Sequence, residues 1–272
     1  LLNSEVIEPI EKDNICIGVK YKDKNGDIQQ IYGNVILDCS GHSAVLGRYY
    51  GIPYDIKINC PIIKCIISEA NIDIDKIQHL HVYIIGNGDL NYAPNFPPCT
   101  AFAFSKGGKN MEVGLMLYMR QAIKMKTVNI PSDDEIMMVW DKLKQNYPGF
   151  SEFLKEARID YEELTAISNA RLVKHVLPKA GVVLIGESAG FVDPFGSSGL
   201  YSSMEMANFF VKMLSRKLDY ITDSNSTDSK HKLEIWSSKN INEYKKQWNK
   251  DPTFKYIKKS YFQTGIFYWY IL

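Results

Sequence analysis

These 272 residues contain no C-x-x-C pair, no H-E-x-x-H and no G-x-G-x-x-G. The five cysteines (Cys16, Cys39, Cys60, Cys65, Cys99) are odd in number and lack metal-ligand spacing. That excludes a disulfide framework and a zinc knuckle, and a reduced, intracellular protein is the simpler expectation. His79 and His81 would share one face of a strand, but no third ligand lies near them in sequence. An excess of charge is missing too, with 32 basic against 31 acidic side chains, so there is no electrostatic footprint for nucleic acid. The lysines at 245, 246, 250, 255, 258 and 259 read as a solvated helix face. No stretch reaches the roughly 18 apolar residues of a membrane span. The chain opens on Leu1-Leu2-Asn3 without a methionine or a charged leader, which leads us to expect a fragment.

What is present is an ordinary globular composition, 45% hydrophobic and 12% aromatic. Cys16–Tyr21 and Ile28–Asp38 are β-branched and aromatic runs joined through Asn25-Gly26, a strong hairpin signal. The second run ends in Val35-Ile36-Leu37, a buried-strand pattern, followed by a turn at Asp38–Gly41 and a short helix over Ala44–Tyr50. Strands are expected at Ile62–Ser68, Leu80–Ile85, Thr100–Phe104 and Met111–Tyr118, forming an antiparallel sheet with one face covered. Ser132 with Glu135 makes a capping box for a helix over Asp133–Gln145, and a shorter helix follows over Ser151–Ala157. Val182–Ile185 is a second continuous apolar strand. Leu200–Leu218 is a strong helix, with Met204, Ala207, Val211 and Leu214 expected in its core face. Lys232–Asn249 and Pro252–Tyr261 are further helices. Two buried strands that end in glycine turns therefore enclose an antiparallel insert, a mixed α/β (α+β) class.

Gly186-Glu187-Ser188-Ala189-Gly190 fits the G-x-S-x-G nucleophile elbow of serine hydrolases and follows a strand, as that motif requires. The continuation argues against it. Asp193-Pro194-Phe195-Gly196 prolongs a loop where an elbow enters a helix, only His231 lies downstream, and no H-G-G-G loop precedes the strand. Small residues at Ser188, Ala189 and Gly190 instead let another body approach the backbone. Ser197-Ser198-Gly199 then opens the long helix, whose N-terminal N–H groups favour a phosphate or an electron-rich carbonyl.

Gly181–Gly199 with Met204-Glu205-Met206-Ala207 resembles the second FAD-contacting motif of the geranylgeranyl-reductase-like flavoproteins. These belong to the p-hydroxybenzoate-hydroxylase-fold group, which includes flavin-dependent halogenases. The family pattern is a strand, G-D-A-A-G, an aromatic or aliphatic pair, proline, then G-x-G and a helix. This chain supplies Gly186, Ala189, Gly190, Phe191, Pro194 and Gly199. Val35–Ser43 resembles the V-I-D-A-S-G-x-x-S turn of another FAD-domain strand. Tyr92-Ala93-Pro94 through Phe104–Gly107 and Val113-Gly114-Leu115 resembles a substrate-domain segment. Three departures stand out. Glu187 replaces the family's ribityl-binding aspartate, Phe102–Gly107 lacks a tryptophan and a proline, and the pyrophosphate fingerprint is missing.

The resemblance implies a partial FAD/NAD(P)-binding Rossmann-like domain over residues 1–50 and 180–218. An antiparallel substrate domain over 51–179 interrupts it, and a helical segment over 219–272 follows. It implies an FAD-dependent oxidoreductase acting on an apolar prenyl or other lipid-like small molecule. NAD(P)H or ferredoxin is the candidate electron donor. A halogenase or an aromatic monooxygenase is the alternative, followed by a serine hydrolase or an inactive fragment. Candidate cofactor residues are Asp38, Gly41, Gly186, Glu187, Ala189, Gly190, Pro194, Ser197, Ser198, Gly199 and Leu200. Candidate substrate residues are Tyr83, Tyr92, Phe96, Phe102, Phe104 and Tyr118, with ordinary sheet core as the competing role for each. No metal and no nucleic acid is expected. The location is expected to be cytoplasmic, with peripheral membrane contact through the aromatic Gly265–Leu272 end.

Overall fold

A computed structural model describes residues 2–52, 59–72, 80–85, 90, 93, 96–97, 99–117, 131–168, 175–193, 199–222 and 234–271. The chain divides into two compact units, Leu1–Ile56 with Ala170–Thr264, and Lys57–Asn169 with Gly265–Leu272. Each has its own apolar core.

The first unit opens with an antiparallel sheet of β1 (Glu5–Lys12), β2 (Ile15–Lys22) and β3 (Ile28–Tyr32). The turn between β2 and β3 holds because the Asp23 carboxylate accepts from the amides of Asn25 and Asp27, while Gly26 takes φ +91°. The run expected as one strand over Ile28–Asp38 is two. After the Gly33-Asn34 break, β4 (Ile36–Asp38) leaves the hairpin and pairs in parallel with β10 (Val182–Leu184). All three β10 residues are fully buried, which explains the unbroken apolar run: a strand covered on both faces has no polar side.

Among the described residues the helices of this unit are α1 (Val45–Tyr49), α4 (Leu200–Thr222), α5 (Ser238–Trp248) and α6 (Pro252–Ile271), the last continuing into the second unit's residues. Met206, Phe210, Met213 and Leu214 turn the inner face of α4 to the core, where Trp248 of α5 meets Phe191, Phe209 and Phe210. Two expected core residues lie elsewhere. Met204 and Val211 are exposed, because the large aromatic Phe210 and its i−4 and i+3 partners set the buried stripe. Ile235, Trp236, Tyr244 and Ile257 join the same core, so the C-terminal helices pack with the glycine-turn strands.

The second unit is a five-stranded antiparallel sheet in the order β6-β7-β8-β5-β9. Its strands are β5 (Asn59–Ser68), β6 (His81–Ile85), β7 (Cys99–Gly107), β8 (Asn110–Leu117) and β9 (Arg158–Ser168). One face, carrying Ile63, Cys65, Ile67, Ala101, Ala103 and Val113, is covered by α2 (Asp133–Asn146) and α3 (Phe150–Leu154). The Ser132–Glu135 capping box forms at the start of α2. β9 had no expected counterpart, since its charged residues masked its period. One of them, Glu162, accepts from Trp140 Nε1 at 2.7 Å and Lys144 Nζ at 2.9 Å. Among the described residues, no helix is long and apolar enough to cross a membrane.

Candidate cofactor site

Two parallel strands pointing the same way deliver two glycine turns side by side. From β4 the chain enters a short turn over Gly41–Ser43, and from β10 it enters a second over Gly186–Ala189. Gly41, Gly186 and Gly190 take φ +63°, +65° and +63°, the left-handed region that glycine occupies without cost. A Cβ on Gly41 would stand 3.4 Å from Glu187 Oε2, so the part-exposed carboxylate of one turn lies directly against the backbone of the other.

Asp38 ends β4 and is buried. Its Oδ1 accepts from the Ser40 amide at 3.0 Å and the Ser40 hydroxyl at 2.5 Å, and its Oδ2 accepts from the amides of Leu46 at 2.9 Å and Gly47 at 3.1 Å. The carboxylate thus caps α1 from outside the helix, satisfying two first-turn N–H groups. Asp38 builds the turn from beneath, its oxygens accepting from donors of this chain. Ala189 is likewise in the core.

Ser188 is not an exposed nucleophile. It is fully buried, its hydroxyl 2.5 Å from the Asp38 carbonyl and 2.8 Å from that of Ile185, while accepting from the Ile185 amide at 3.1 Å. The turn is four residues long, ends at a left-handed Gly190, and leads into a loop instead of a helix. The elbow reading fails on both counts.

Gly186 packs against the start of α4: a Cβ there would meet Ser203 Oγ at 2.5 Å and Ser203 Cβ at 3.0 Å. Gly199 and the exposed Leu200 stand at the N-terminus of α4, where Gly199 O accepts from the Ser203 amide at 2.9 Å. Pro194, Ser197 and Ser198 lie outside the described residues, as do Tyr92 and Tyr118.

The remaining substrate candidates divide by sheet face. Tyr83 packs edge-on to Tyr147 and Phe150 under α3, with burial pushing its phenol pKa up, and Phe96 is buried in the same core. Both belong to the helix-covered face, in the sheet core that was the competing role for each. Phe102 and Phe104 lie on the opposite face, stacked with ring centroids 6.1 Å apart. Phe102 rests across Gly114, where a Cβ would stand 2.4 Å from its Cζ. Val82 and Ile84 on the neighbouring β6 have the same parity and are exposed.

Sequence reasoning missed Asp193. It is buried, its carboxylate accepting from the Ser260 hydroxyl and, at 3.3 Å, from the Tyr256 hydroxyl. The partners lie more than sixty positions away on α6, so no local pattern could have signalled them.

No family model matches the chain, and no curated protein matches it. Solved structures do. The fold is similar to that of a geranylgeranyl bacteriochlorophyll reductase-like protein from Thermoplasma acidophilum, with a TM-score of 0.68 and 15% identity over 94% of this chain and 57% of that one. A flavin-dependent brominase matches at TM-score 0.62 and 14% identity, over 90% of this chain and 54% of its own. A p-nitrophenol 4-monooxygenase from Pseudomonas putida matches at 0.57 and 14%, over 95% and 57%. The chain therefore spans little more than half the length of the structures it matches. As the motif resemblance implied, this chain has the mixed α/β fold found in this reductase-like protein, the flavin-dependent brominase and the monooxygenase.

Proposed function

We propose that this chain carries the flavin-ring side of an FAD site in an oxidoreductase that acts on a small, apolar substrate. One observation carries the reading: Glu187 on the second turn lies against Gly41 of the first, within 3.4 Å of a would-be Cβ. The residues present fit the group. A part-exposed carboxylate beside a glycine that opens the facing turn suits the hydroxyls of a ribityl chain, and the N-terminus of α4 suits the electron-rich edge of a ring. FAD, when bound, supplies the redox chemistry, with NAD(P)H or ferredoxin as the proposed source of electrons. The protein's share is to hold and orient. Glu187 accepts from the ribityl hydroxyls, Gly41 admits the cofactor close to the backbone, Gly186 lets α4 pack close against the second turn, and Asp38 and Ser188 keep the two turns in register.

Phe102, Phe104, Val82 and Ile84 on the face of the sheet away from α2 and α3 support an apolar substrate. Titration of FAD into the purified protein, followed by flavin absorbance and melting temperature, tests the reading. Saturable binding is expected, weakened on the order of tenfold in Glu187→Ala, the worth of one charged hydrogen bond. Colourless protein indifferent to added FAD overturns it. With binding established, anaerobic reduction of a prenyl lipid and product analysis with oxygen and halide distinguish a reductase from a monooxygenase or a halogenase.

A further inference from the structure

The stretch Gly190–Asp193 that follows the Gly186 turn is held by side chains from helices that come later in the chain. At its start, the Gly190 carbonyl accepts from the Tyr261 hydroxyl at 2.9 Å. Phe191 packs against Trp248 with ring centroids 5.0 Å apart. Two residues on, the buried Asp193 carboxylate accepts from Ser260 and Tyr256. Ser202, in the first turn of α4, lies 2.9 Å from the Phe191 carbonyl and 3.1 Å from that of Gly199, spanning both ends at once. Asp193 and Ser260 are both buried, at 8% and 4% exposure, so the bond between them is shielded from water and strong for its kind.

We propose that α6 is a positioning element of the cofactor site: Ser260 through Asp193, and Tyr261 through the Gly190 carbonyl, hold Gly190–Asp193, which Ser202 ties to the first turn of α4, and so set where its N-terminus meets the flavin. The inference rests on the flavin reading and goes beyond it, since it gives the C-terminal helix a share in cofactor orientation. Ser260 and Tyr261 are positioning residues, acting through backbone and carboxylate atoms that they hold.

The test compares the wild-type chain with Ser260→Ala, Tyr261→Phe, their combination, and Ser260→Thr, which keeps the hydroxyl. Three quantities are read: the melting midpoint without FAD, the FAD dissociation constant, and the position of the bound flavin's visible absorbance band. The double variant is expected to bind FAD on the order of tenfold more weakly and to shift the band, with Ser260→Thr restoring both. Single variants keep the test open if the double variant does not fold. Binding within twofold of wild type with an unmoved band overturns the inference alone. An affinity loss that tracks a lower melting midpoint and leaves the band in place is the mark of a merely structural brace, and also overturns it. A wild-type chain that binds no FAD overturns the flavin reading, and the positioning role with it.

Discussion

The hydroxyl of Ser188 lies 2.5 Å from the carbonyl oxygen of Asp38, joining residues 150 positions apart. It fastens the end of β4 to the turn that follows β10, at the point where the parallel ladder stops. Ser188→Ala should destabilise the protein by about 1–3 kcal/mol, because it leaves buried backbone groups short of a partner. Chemical denaturation measures this. Any esterase activity of a preparation should survive the substitution unchanged.

Gly186 is required twice over, by its φ of +65° and by the proximity of Ser203. Gly186→Ala should cost about 1–2 kcal/mol for the left-handed backbone, with overpacking of about 1–3 kcal/mol added. The second part is shared with Ser203, so Gly186→Ala combined with Ser203→Ala should be less damaging than the sum of the two. A double-mutant cycle on unfolding midpoints detects that coupling. Strict additivity would place the clash elsewhere.

Gly114 sits between a ring and a backbone: its Cβ would stand 2.4 Å from Phe102 Cζ and 2.2 Å from the Ile63 carbonyl oxygen. Gly114→Ala should lower stability by about 3 kcal/mol or more, since the carbonyl belongs to the neighbouring strand and cannot step aside. Removing the ring with Phe102→Ala should rescue little of the loss. Full rescue, seen by circular dichroism and melting, would mean that only the ring contact matters.

Of the five cysteines, Cys39 alone is exposed. A thiol reagent should therefore modify one group in the folded protein and all five after unfolding, and Cys39→Ser should abolish the native reaction. Partial desolvation by the surrounding chain, followed by the nearby Asp38 charge, raises the pKa of this surface thiol, so its labelling rate should still be climbing above pH 9.

Burial pushes Cys65 from its ordinary value of 9.0 up to about 12. The raised folded value has a definite sign. The thiol stays neutral in both states below pH 9, so its contribution is intact there. Between pH 9 and 12 the unfolded chain ionises first, and stability falls by up to about 1.4 kcal/mol per pH unit across that window. Urea midpoints at pH 8 and pH 10.5 should show the drop.

Much of the fold is written in local pattern. The alternation in Ala101–Phe104, the Ser132–Glu135 box and the apolar run at Val182 each found the element they predict. Where reading failed, a non-local choice decided. Ile28–Asp38 looks continuous because both halves favour strand, and only the availability of β10 as a parallel partner splits it. The phase of α4 was misjudged because Met204 and Met206 are equivalent in hydropathy, while the packing of Phe210 on Trp248 selects one stripe. At the site, the glycines were legible because few other residues tolerate their backbone. The inward roles of Asp38 and Ser188 were not, since a carboxylate or hydroxyl beside a glycine turn reads equally as ligand or as scaffold. Tyr83 and Phe102 differ in role by strand parity, which the sequence carries only once the register is known.

The pairing of β5 with β9 brings Asn59 opposite Ser168, so the insert closes upon itself. This bears on the order of folding. Joining β4 to β10 through an unstructured intervening chain would carry the entropy of a very long loop. Once the insert sheet has formed, only its two short connections count towards that loop. Closure entropy grows with the logarithm of length, so the shortcut saves about 1 kcal/mol, corresponding to roughly two halvings of the loop. The insert should accordingly acquire hydrogen-exchange protection before the paired glycine turns do, making the last part of the chain to mature the part proposed to meet the cofactor.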